Sequence, residues 1–375
     1  MTRTLFFLIL VTFFVLTIPG LVNREVWFDE KASILISERE FPKLLETAAR
    51  DTHPPLYFLL LKTWSLVSKN HYFLRLPSLL FGMGTILTMW KLAHQLAPTR
   101  AAKIATLLLA ISPLHIYYAS EIRMYGLFLF EALLLSYLFL RFINSSSNRE
   151  NVLVFVIELA LMYTHYYALL VIIALSIWIW FKKRIVFKKW IIIQLLVGLL
   201  FLPWALYTVQ FPKPACWCFA SQIGIPTLFS ALAVGGVGIV TLKDLLTLGT
   251  APVTLLFLVT TCLLFALFLK GFANRSKIFS SLITYQFFIP LITISVISFR
   301  NPLFSPRAFI FLLPSYLIFV SIGIASLKPF AKLTLVSVII LLTWISLLQS
   351  MDPFFTKIPF LKRDLNVEKL EFLAP

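Results

Sequence analysis

HPPLYFLLLKTWSLVS, His53–Ser68, is the stretch that decides how this chain is threaded. Its composition is that of a membrane span. From Pro54 it offers only about 15 residues, roughly 22 Å of helix, against a hydrocarbon core of roughly 30 Å. Lys62 interrupts it. Proline is at home in the first turn of a helix, where its missing N–H is not needed, so the Pro54–Pro55 pair marks a start. The stretch reads as a helix lying in the interface rather than crossing the bilayer. Just upstream, Ile34, Phe41, Leu44, Leu45 and Ala48 recur at near-helical spacing. Residues 30–50 therefore read as a second interfacial helix, with Pro42 as a point where it can split.

That reading orients everything downstream. If His53–Ser68 does not cross, the next span (about 76–96) runs inward, and the Arg100 and Lys103 that follow it fall inside. If it crosses, they fall outside, against the excess of Lys and Arg found in cytoplasmic loops. The first span is about 4–22, uncleaved because no small-residue cleavage site follows, and Arg3 holds the N-terminus inside. Residues 23–75 are then an outer loop. Spans at about 101–119 and 124–140 follow, the latter trailed by Arg141 and Arg149. Residues 151–181 exceed one span and carry YTHYY (163–167) in the middle, which suits a hairpin of two short helices; one long tilted helix is the alternative. A span at about 190–209 leads to a second large outer loop, 210–250. Four more, at about 251–270, 279–298, 308–326 and 329–348, bring the count to about eleven. The chain reads as one membrane-embedded domain, 1–348, with a short outer tail, 349–375.

Composition agrees. The 375 residues are 60% hydrophobic and 13% charged, where a soluble domain is about half apolar and a quarter charged. The fold class is all-α polytopic, because isolated strands cannot satisfy their backbone in lipid, and the unbroken apolar runs lack the alternation of a barrel. A net charge of +17 does not point to nucleic acid here. The bases cluster in short loops such as KKRIVFKK (182–189), on the side the positive-inside rule requires. Cys216, Cys218 and Cys262 imply no disulfide framework.

With this threading, polar residues converge on the outer face. Asp29 and Glu30 open the first loop in REVWFDEKASI (24–34), and His53 starts the short helix. Glu121, Arg123 and Tyr125 lie in YYASEIRMYGL (117–127) between two spans. Arg300 and Arg307 flank the short loop SFRNPLFSPRAFIF (298–311), and His165 sits in YTHYY. Arginines on the outer side need a reason other than topology, and an anionic ligand is one, since guanidinium forks match phosphate oxygens. A carboxylate can take the proton of an acceptor hydroxyl while arginines hold a phosphate leaving group. At an outer face, without nucleotide sugars, the natural donor is a sugar linked to a lipid phosphate. Asp29 and Glu121 are the carboxylates that could share a divalent cation such as Mg or Mn, although no tight ligand spacing supports one.

The ordered series WFDEKAS, DTHPPLYFLLL, RLPSLLFG, SPLHIYYASEIRMYGL, YTHYY and SPRAFIFLLPS resembles the GT-C glycosyltransferases, across nearly all of residues 20–325. It looks most like the bacterial branch related to protein O-mannosyltransferases and lipid A aminoarabinose transferases. The resemblance implies a first outer loop with two interfacial helices. It also implies Asp29 as catalytic base or metal-associated carboxylate, Glu121 as second acid, and Arg307 on the lipid phosphate. Arg123, His53 and Arg300 join Arg307 as candidate phosphate contacts, with Glu30, His165 and Tyr125 as supporting residues. The chain departs from many members in having Ala308 and Phe309 after the late arginine, where they have Tyr, and it lacks the large C-terminal outer domain of some. The expected activity is inverting transfer of a sugar from a polyprenyl phosphate to a lipid, glycan or protein acceptor, at the outer face of the plasma membrane. A flippase for lipid-linked sugars, or a polysaccharide polymerase or ligase, is the competing expectation. A transporter would show broken or charged segments at the midplane in two related halves, and no repeat is visible.

Overall fold

A computed structural model describes residues 2–145, 147–211, 251–274, 282–298 and 306–329. Every regular element among them is helical. The helices α1 (Thr2–Val22), α5 (His71–Leu96), α8 (Tyr125–Asn144) and α11 (Arg184–Val209) are long and apolar enough to cross a bilayer. So is the segment Arg307–Ala325, formed by a 3-10 helix (Pro306–Leu312) running into α14 (Leu313–Ala325). Shorter apolar helices are α10 (Ala168–Lys182), α13 (Leu282–Ser298) and the second half of α12 (Ala251–Ala273). Among the described residues the architecture is that of an all-helical, multi-pass membrane protein.

The loop between α1 and α5 holds three short helices. α2 (Phe28–Glu38) and α3 (Phe41–Arg50) are the two halves of the helix expected over 30–50, and Pro42 sits in the first turn of α3, where the split falls. α4 (Leu56–Ser65) begins after the proline pair and runs 10 residues, about 15 Å and far too short to cross. It packs on α2, α9 and α5. Lys62 has a structural use. Its ammonium donates to the carbonyls of Ser37 at 3.4 Å and Arg39 at 2.7 Å, closing the carbonyl end of α2, where a cation is favoured.

Two segments differ in detail from the sequence reading. The span expected at 101–119 is broken into α6 (Thr99–Ala110) and α7 (Pro113–Tyr118). Pro113 forces Ser112 out of the helical region, to φ −66° and ψ 121°. Residues 151–181 do form a hairpin, α9 (Asn148–Thr164) and α10, turning at His165, whose backbone is extended. The span at 329–348, nearly all of the loop 210–250, the tail 349–375, Cys216, Cys218 and Arg300 lie outside the described residues.

α8 and α14 are the most enclosed spans, while α1 and α11 present most of their surface outward. α5 packs on α8, α6 and α1; α8 packs on α9; α14 packs on α12 and α6; α10 packs on α13. Lipid tails are as apolar as leucine, so close backbone approach rather than hydrophobicity holds such helices together. α12 and α14 show it: a Cβ on Gly323 would strike the Leu267 carbonyl, and one on Gly271 the Phe319 carbonyl. α6 brings Ala101, Ala102 and Ala105, all fully buried, to its neighbours for the same reason.

The order of the helices separates two ends of the bundle. The end of α1, the starts of α5 and α8, and the 3-10 helix share one end with α2–α4. Arg100, Lys103, Arg141, Arg149 and Lys182–Arg184 lie at the other ends of these helices.

Candidate active site

The first turn of α2 makes the site's floor. Its two adjacent acids point to different partners. Glu30 is fully buried and Arg75 of α5 is fully buried against it. The Arg75 Nε donates to Glu30 Oε1 at 3.0 Å and its Nη2 to Oε2 at 2.8 Å. The remaining Arg75 N–H groups go to the carbonyls of Leu21 (2.9 Å), Arg24 (2.9 Å) and Glu25 (3.3 Å). Glu30 Oε1 also accepts from the backbone N–H of Ile122 at 2.9 Å, and Oε2 from that of Trp27 at 3.4 Å. This one fork-to-fork pair therefore fastens the end of α1, the start of α2, the side of α5 and the segment before α8. Burial would raise the Glu30 pKa, but Arg75, Arg24 and the Ile122 N–H bring it below its ordinary value. Glu30 thus ties the first turn of α2 to α5 and to the segment before α8.

Asp29 is turned the other way. Its Oδ2 accepts from Arg307 Nη1 at 2.6 Å, joining the loop between α1 and α5 to the 3-10 helix before α14. Arg123 approaches from behind. Its Nη1 donates to Ser33 Oγ at 3.1 Å and to the Asp29 backbone carbonyl at 3.4 Å, while Ser33 Oγ donates to the same carbonyl at 3.0 Å. Arg123, expected on the phosphate, is thus in part a brace for the turn that carries Asp29. Burial pushes the Asp29 pKa up, the charges of Arg123 and Arg307 pull it down, and the net shift is downward. Tyr125, at the start of α8, lies beside both cations, with its ring centre 5.9 Å from the Arg123 guanidinium carbon and 5.8 Å from that of Arg307.

Glu121 sits across the floor. Its Oε1 accepts from Trp27 Nε1 at 2.7 Å, and its Oε2 is buried without a hydrogen-bond partner. The Ser78 hydroxyl fixes its backbone carbonyl. Burial is the main cause of a pKa raised to about 7, with Glu30 and Asp29 adding to it and Arg24 and Arg123 opposing it. Two acids facing one floor thus have opposite tendencies: Asp29 stays ionised and Glu121 tends to hold a proton.

The wall above contains His53, His165 and one residue that the sequence reading did not single out, Asp51. Asp51 Oδ2 lies 3.3 Å from His53 Nδ1, and Thr52 Oγ1 lies 2.9 Å from the same nitrogen. A carboxylate facing Nδ1 places the proton there and leaves the lone pair on Nε2. Burial lowers the His53 pKa, Asp51 opposes this, and the Arg123 and Arg307 charges add to the lowering. The lowered pKa favours the neutral ring, whose Nε2 is then an acceptor. The pKa of Asp51 is brought down to about 2: burial alone would raise it, and the His53 hydrogen bond, the charges of His53 and Arg123 and the Thr52 backbone N–H together outweigh that. His165, at the tip of the α9–α10 hairpin, accepts from the Tyr167 N–H at Nδ1 (3.1 Å), which puts its proton on Nε2. That nitrogen is buried and has no partner. Its ring stacks on Phe128 at 4.5 Å and meets His53 edge-on at 5.1 Å.

The structure thus gathers Asp29, Glu30, His53, Glu121, Arg123, Tyr125, His165 and Arg307 in one place. Buried polar atoms without partners recur here, namely Glu121 Oε2, Arg123 Nε, His165 Nε2 and Arg24 Nε. Such atoms are scarce in folded proteins, and a bound ligand is one way to satisfy them. Sequence reasoning passed over Asp51, Arg75, Arg24 and Trp27, although all four stand in stretches whose motifs it used, DTHPP, RLPSLLFG and REVWFDE. A divalent cation finds a poor fit. Asp29 is held by Arg307, Glu121 by Trp27, and three guanidinium groups surround them. Among the described residues no group of three or more His, Cys, Asp or Glu side chains is placed to hold a metal.

Comparison with known proteins gives consistent answers. Residues 52–207 match the model of the family described as dolichyl-phosphate-mannose-protein mannosyltransferase. That segment contains His53, Arg75, Glu121, Arg123 and His165 but neither Asp29 nor Arg307. No curated protein is matched by sequence. Among solved structures, apo ArnT from Cupriavidus metallidurans superposes with a TM-score of 0.60 at 15% identity, covering 88% of this chain and 61% of that one. ArnT from the same organism bound to undecaprenyl phosphate gives 0.59 at 15% identity, covering 88% and 62%. The Archaeoglobus fulgidus oligosaccharyltransferase tethered to an acceptor peptide gives 0.53 at 12% identity, covering 98% and 59%. The chain spans about three fifths of the length of the solved structures it matches. A helical fold shared with two such enzymes and a family match over the middle of the chain lead to one conclusion: the chain has the fold of the GT-C glycosyltransferases, and its residues 52–207 are similar to the dolichyl-phosphate-mannose-protein mannosyltransferase family.

Proposed function

We propose that this protein is a membrane glycosyltransferase that moves a sugar from a polyprenyl-phosphate donor to an acceptor hydroxyl or amide at the outer face, with inversion. The observation that carries the reading is the meeting of Asp29 with Arg307, backed by Arg123, in a GT-C fold. The donor's phosphate is the better partner for Arg307, since it offers several charged oxygens to one guanidinium. When the phosphate takes Arg307, Asp29 loses its closest cation and becomes more basic, in the same complex that needs a base. The acceptor X–H then loses its proton to Asp29. Its X atom forms the new bond to the anomeric carbon, and the C–O bond to phosphate breaks with its electrons on the phosphate. Arg307 stabilises the charge that develops there. Glu121 and His53 border the same floor and can orient donor or acceptor hydroxyls. No step in this scheme uses a metal.

A ligand named for one of the matched structures, undecaprenyl phosphate, supports a lipid-phosphate donor for this chain. The position of the site at the end of the bundle opposite Arg100, Lys103, Arg141, Arg149 and Lys182–Arg184 supports an outer-face site in a plasma membrane. The test is transfer by purified protein in lipid nanodiscs from a panel of polyprenyl-phosphate sugars, with wild type and Asp29→Asn compared. Transfer by wild type and a loss of several orders of magnitude in the variant is expected. Robust turnover by Asp29→Asn would overturn the role of Asp29. Movement of the lipid-linked sugar between leaflets without transfer would overturn the enzyme reading in favour of a flippase.

A further inference from the structure

A cavity of about 460 Å³ opens at the outer end of the bundle, between the end of α1 and the start of α5. Its basic side chains are Arg24, Lys69, His71 and Arg75; Glu25 is the acid among its lining residues. Asp29 and Arg307 are not part of it, and Arg75, paired behind with Glu30, lines it. Arg75 has given every N–H to Glu30 and three carbonyls, so it contributes charge but no free donor. Arg24 differs. It lies 4.3 Å from the Tyr117 ring, donates to the Ser120 carbonyl at 3.3 Å and keeps a buried Nε with no partner. Lys69 is exposed, with Glu38 at 2.9 Å, and His71 and Tyr72 are exposed beside it. The positive end of α5 adds to the potential, since Asn70 satisfies the Tyr72 N–H but not the whole first turn.

Below the notch, α1 presents an apolar stripe. Val11, Val15, Ile18 and Val22 are exposed at helical spacing along it, and Val22 also lines the cavity. A cationic notch continuous with an outward apolar stripe is matched to an amphiphile: an anionic head at the membrane edge and chains running down the helix. We propose that this notch binds the headgroup of an anionic phospholipid of the bilayer, one with a net negative charge, its acyl chains lying along α1. The volume suits a phosphate with a small polyol, within the usual range for ligand pockets. A soluble anion would use the bases but not the stripe. The site is separate from the transferase floor and does not depend on that reading. Arg24 links the two, because it touches Glu30 at 3.5 Å and the segment that carries Glu121.

Purified full-length protein, reconstituted in equal phosphatidylglycerol and phosphatidylcholine and released for native mass spectrometry, tests this. Wild type is expected to retain one phosphatidylglycerol in preference to phosphatidylcholine. Lys69→Glu combined with His71→Ala should weaken that preference about tenfold, on the scale of two interfacial charges. Glu25→Gln, which keeps the backbone carbonyl used by Arg75, should strengthen it. An equal yield of both lipids from wild type, or a preference unchanged in the double variant, overturns the proposal. Displacement of the lipid by an excess of inorganic phosphate would show an anion site without lipid character and would also overturn it. The double variant changes only exposed side chains, so a thermal unfolding midpoint close to wild type is expected to accompany the loss.

Discussion

The Arg307 guanidinium and the Asp29 carboxylate, separated by 278 positions in the chain, meet at 2.6 Å. The contact joins the loop between α1 and α5 to the 3-10 helix before α14. It also sets the protonation chemistry of the site, because an acid paired this closely with a cation is a weaker base than a free one. Arg307→Ala should weaken binding of polyprenyl phosphate by about 10- to 100-fold, on the scale of a charge-assisted hydrogen bond. Arg307→Lys should fall between, since the ammonium cannot reproduce the fork. Titration calorimetry in nanodiscs measures both.

The same pair predicts a pH effect with a definite sign. Asp29 acts as base only when ionised, and Arg123 and Arg307 outweigh burial to keep its pKa below the ordinary value. Removing Arg307 raises it. The acid limb of the pH–rate profile should therefore move to higher pH in Arg307→Ala, in addition to any loss of rate. An unmoved limb would show that another group, with His53 beside Asp51 the nearest alternative, carries the proton.

Glu30→Gln should be a stability mutation. It leaves Arg75 buried opposite a neutral amide, and breaking a buried pair by removing one partner costs about 3–5 kcal/mol. The Glu30 pKa is lowered in the fold, so its contribution is present above its ordinary value of 4.5 and is lost as the pH falls below that, through its folded value. Thermal unfolding in detergent at neutral and acidic pH checks this: the gap between wild type and variant should narrow on acidification.

Glu121 has the opposite sign. Its folded pKa, near 7, lies above its ordinary 4.5, so the folded protein prefers it protonated. Its contribution is complete below pH 4.5 and declines as the pH rises through 7. Glu121→Gln, which retains an oxygen for the Trp27 indole, should remove this decline. The unfolding midpoint of the variant should vary less than that of wild type across that interval.

Gly323 and Gly198 give a paired test of the packing. A Cβ at Gly323 would meet the Leu267 carbonyl, whereas one at Gly198 on α11 meets nothing within 4 Å. Gly323→Ala should destabilise by about 1–3 kcal/mol through overpacking. Gly198→Ala should be neutral or stabilising by up to about 1 kcal/mol, because helix interiors favour alanine.

Several features were legible because they depend on one segment at a time. The short α4 follows from the 15 or so residues available after Pro54, and the split between α2 and α3 follows from Pro42. The hairpin at His165 follows from an apolar stretch too long for one span. The break at Pro113 was equally local, in SPLHIYY, but was absorbed into a single span because hydropathy does not fall there. The outer arginines stood out because topology gave them no reason to be there. Arg75 did not, since a basic residue at the start of a span looks like an interfacial anchor; only its full burial against Glu30 distinguishes it.

By itself, then, the sequence determined that the chain is a helical membrane protein, which end of it holds the candidate site, and many of the side chains that gather there. Hydropathy, helix length and charge asymmetry are properties of consecutive residues, and the bilayer acts on them directly. Only the tertiary structure decided what each side chain does. Asp29 and Glu30 are neighbours in the chain, about 100° apart around α2. That rotation turns Glu30 into a buried bond with α5 and Asp29 toward Arg307. The protonation state, the partner and the role of each acid follow from which helix packs against its face.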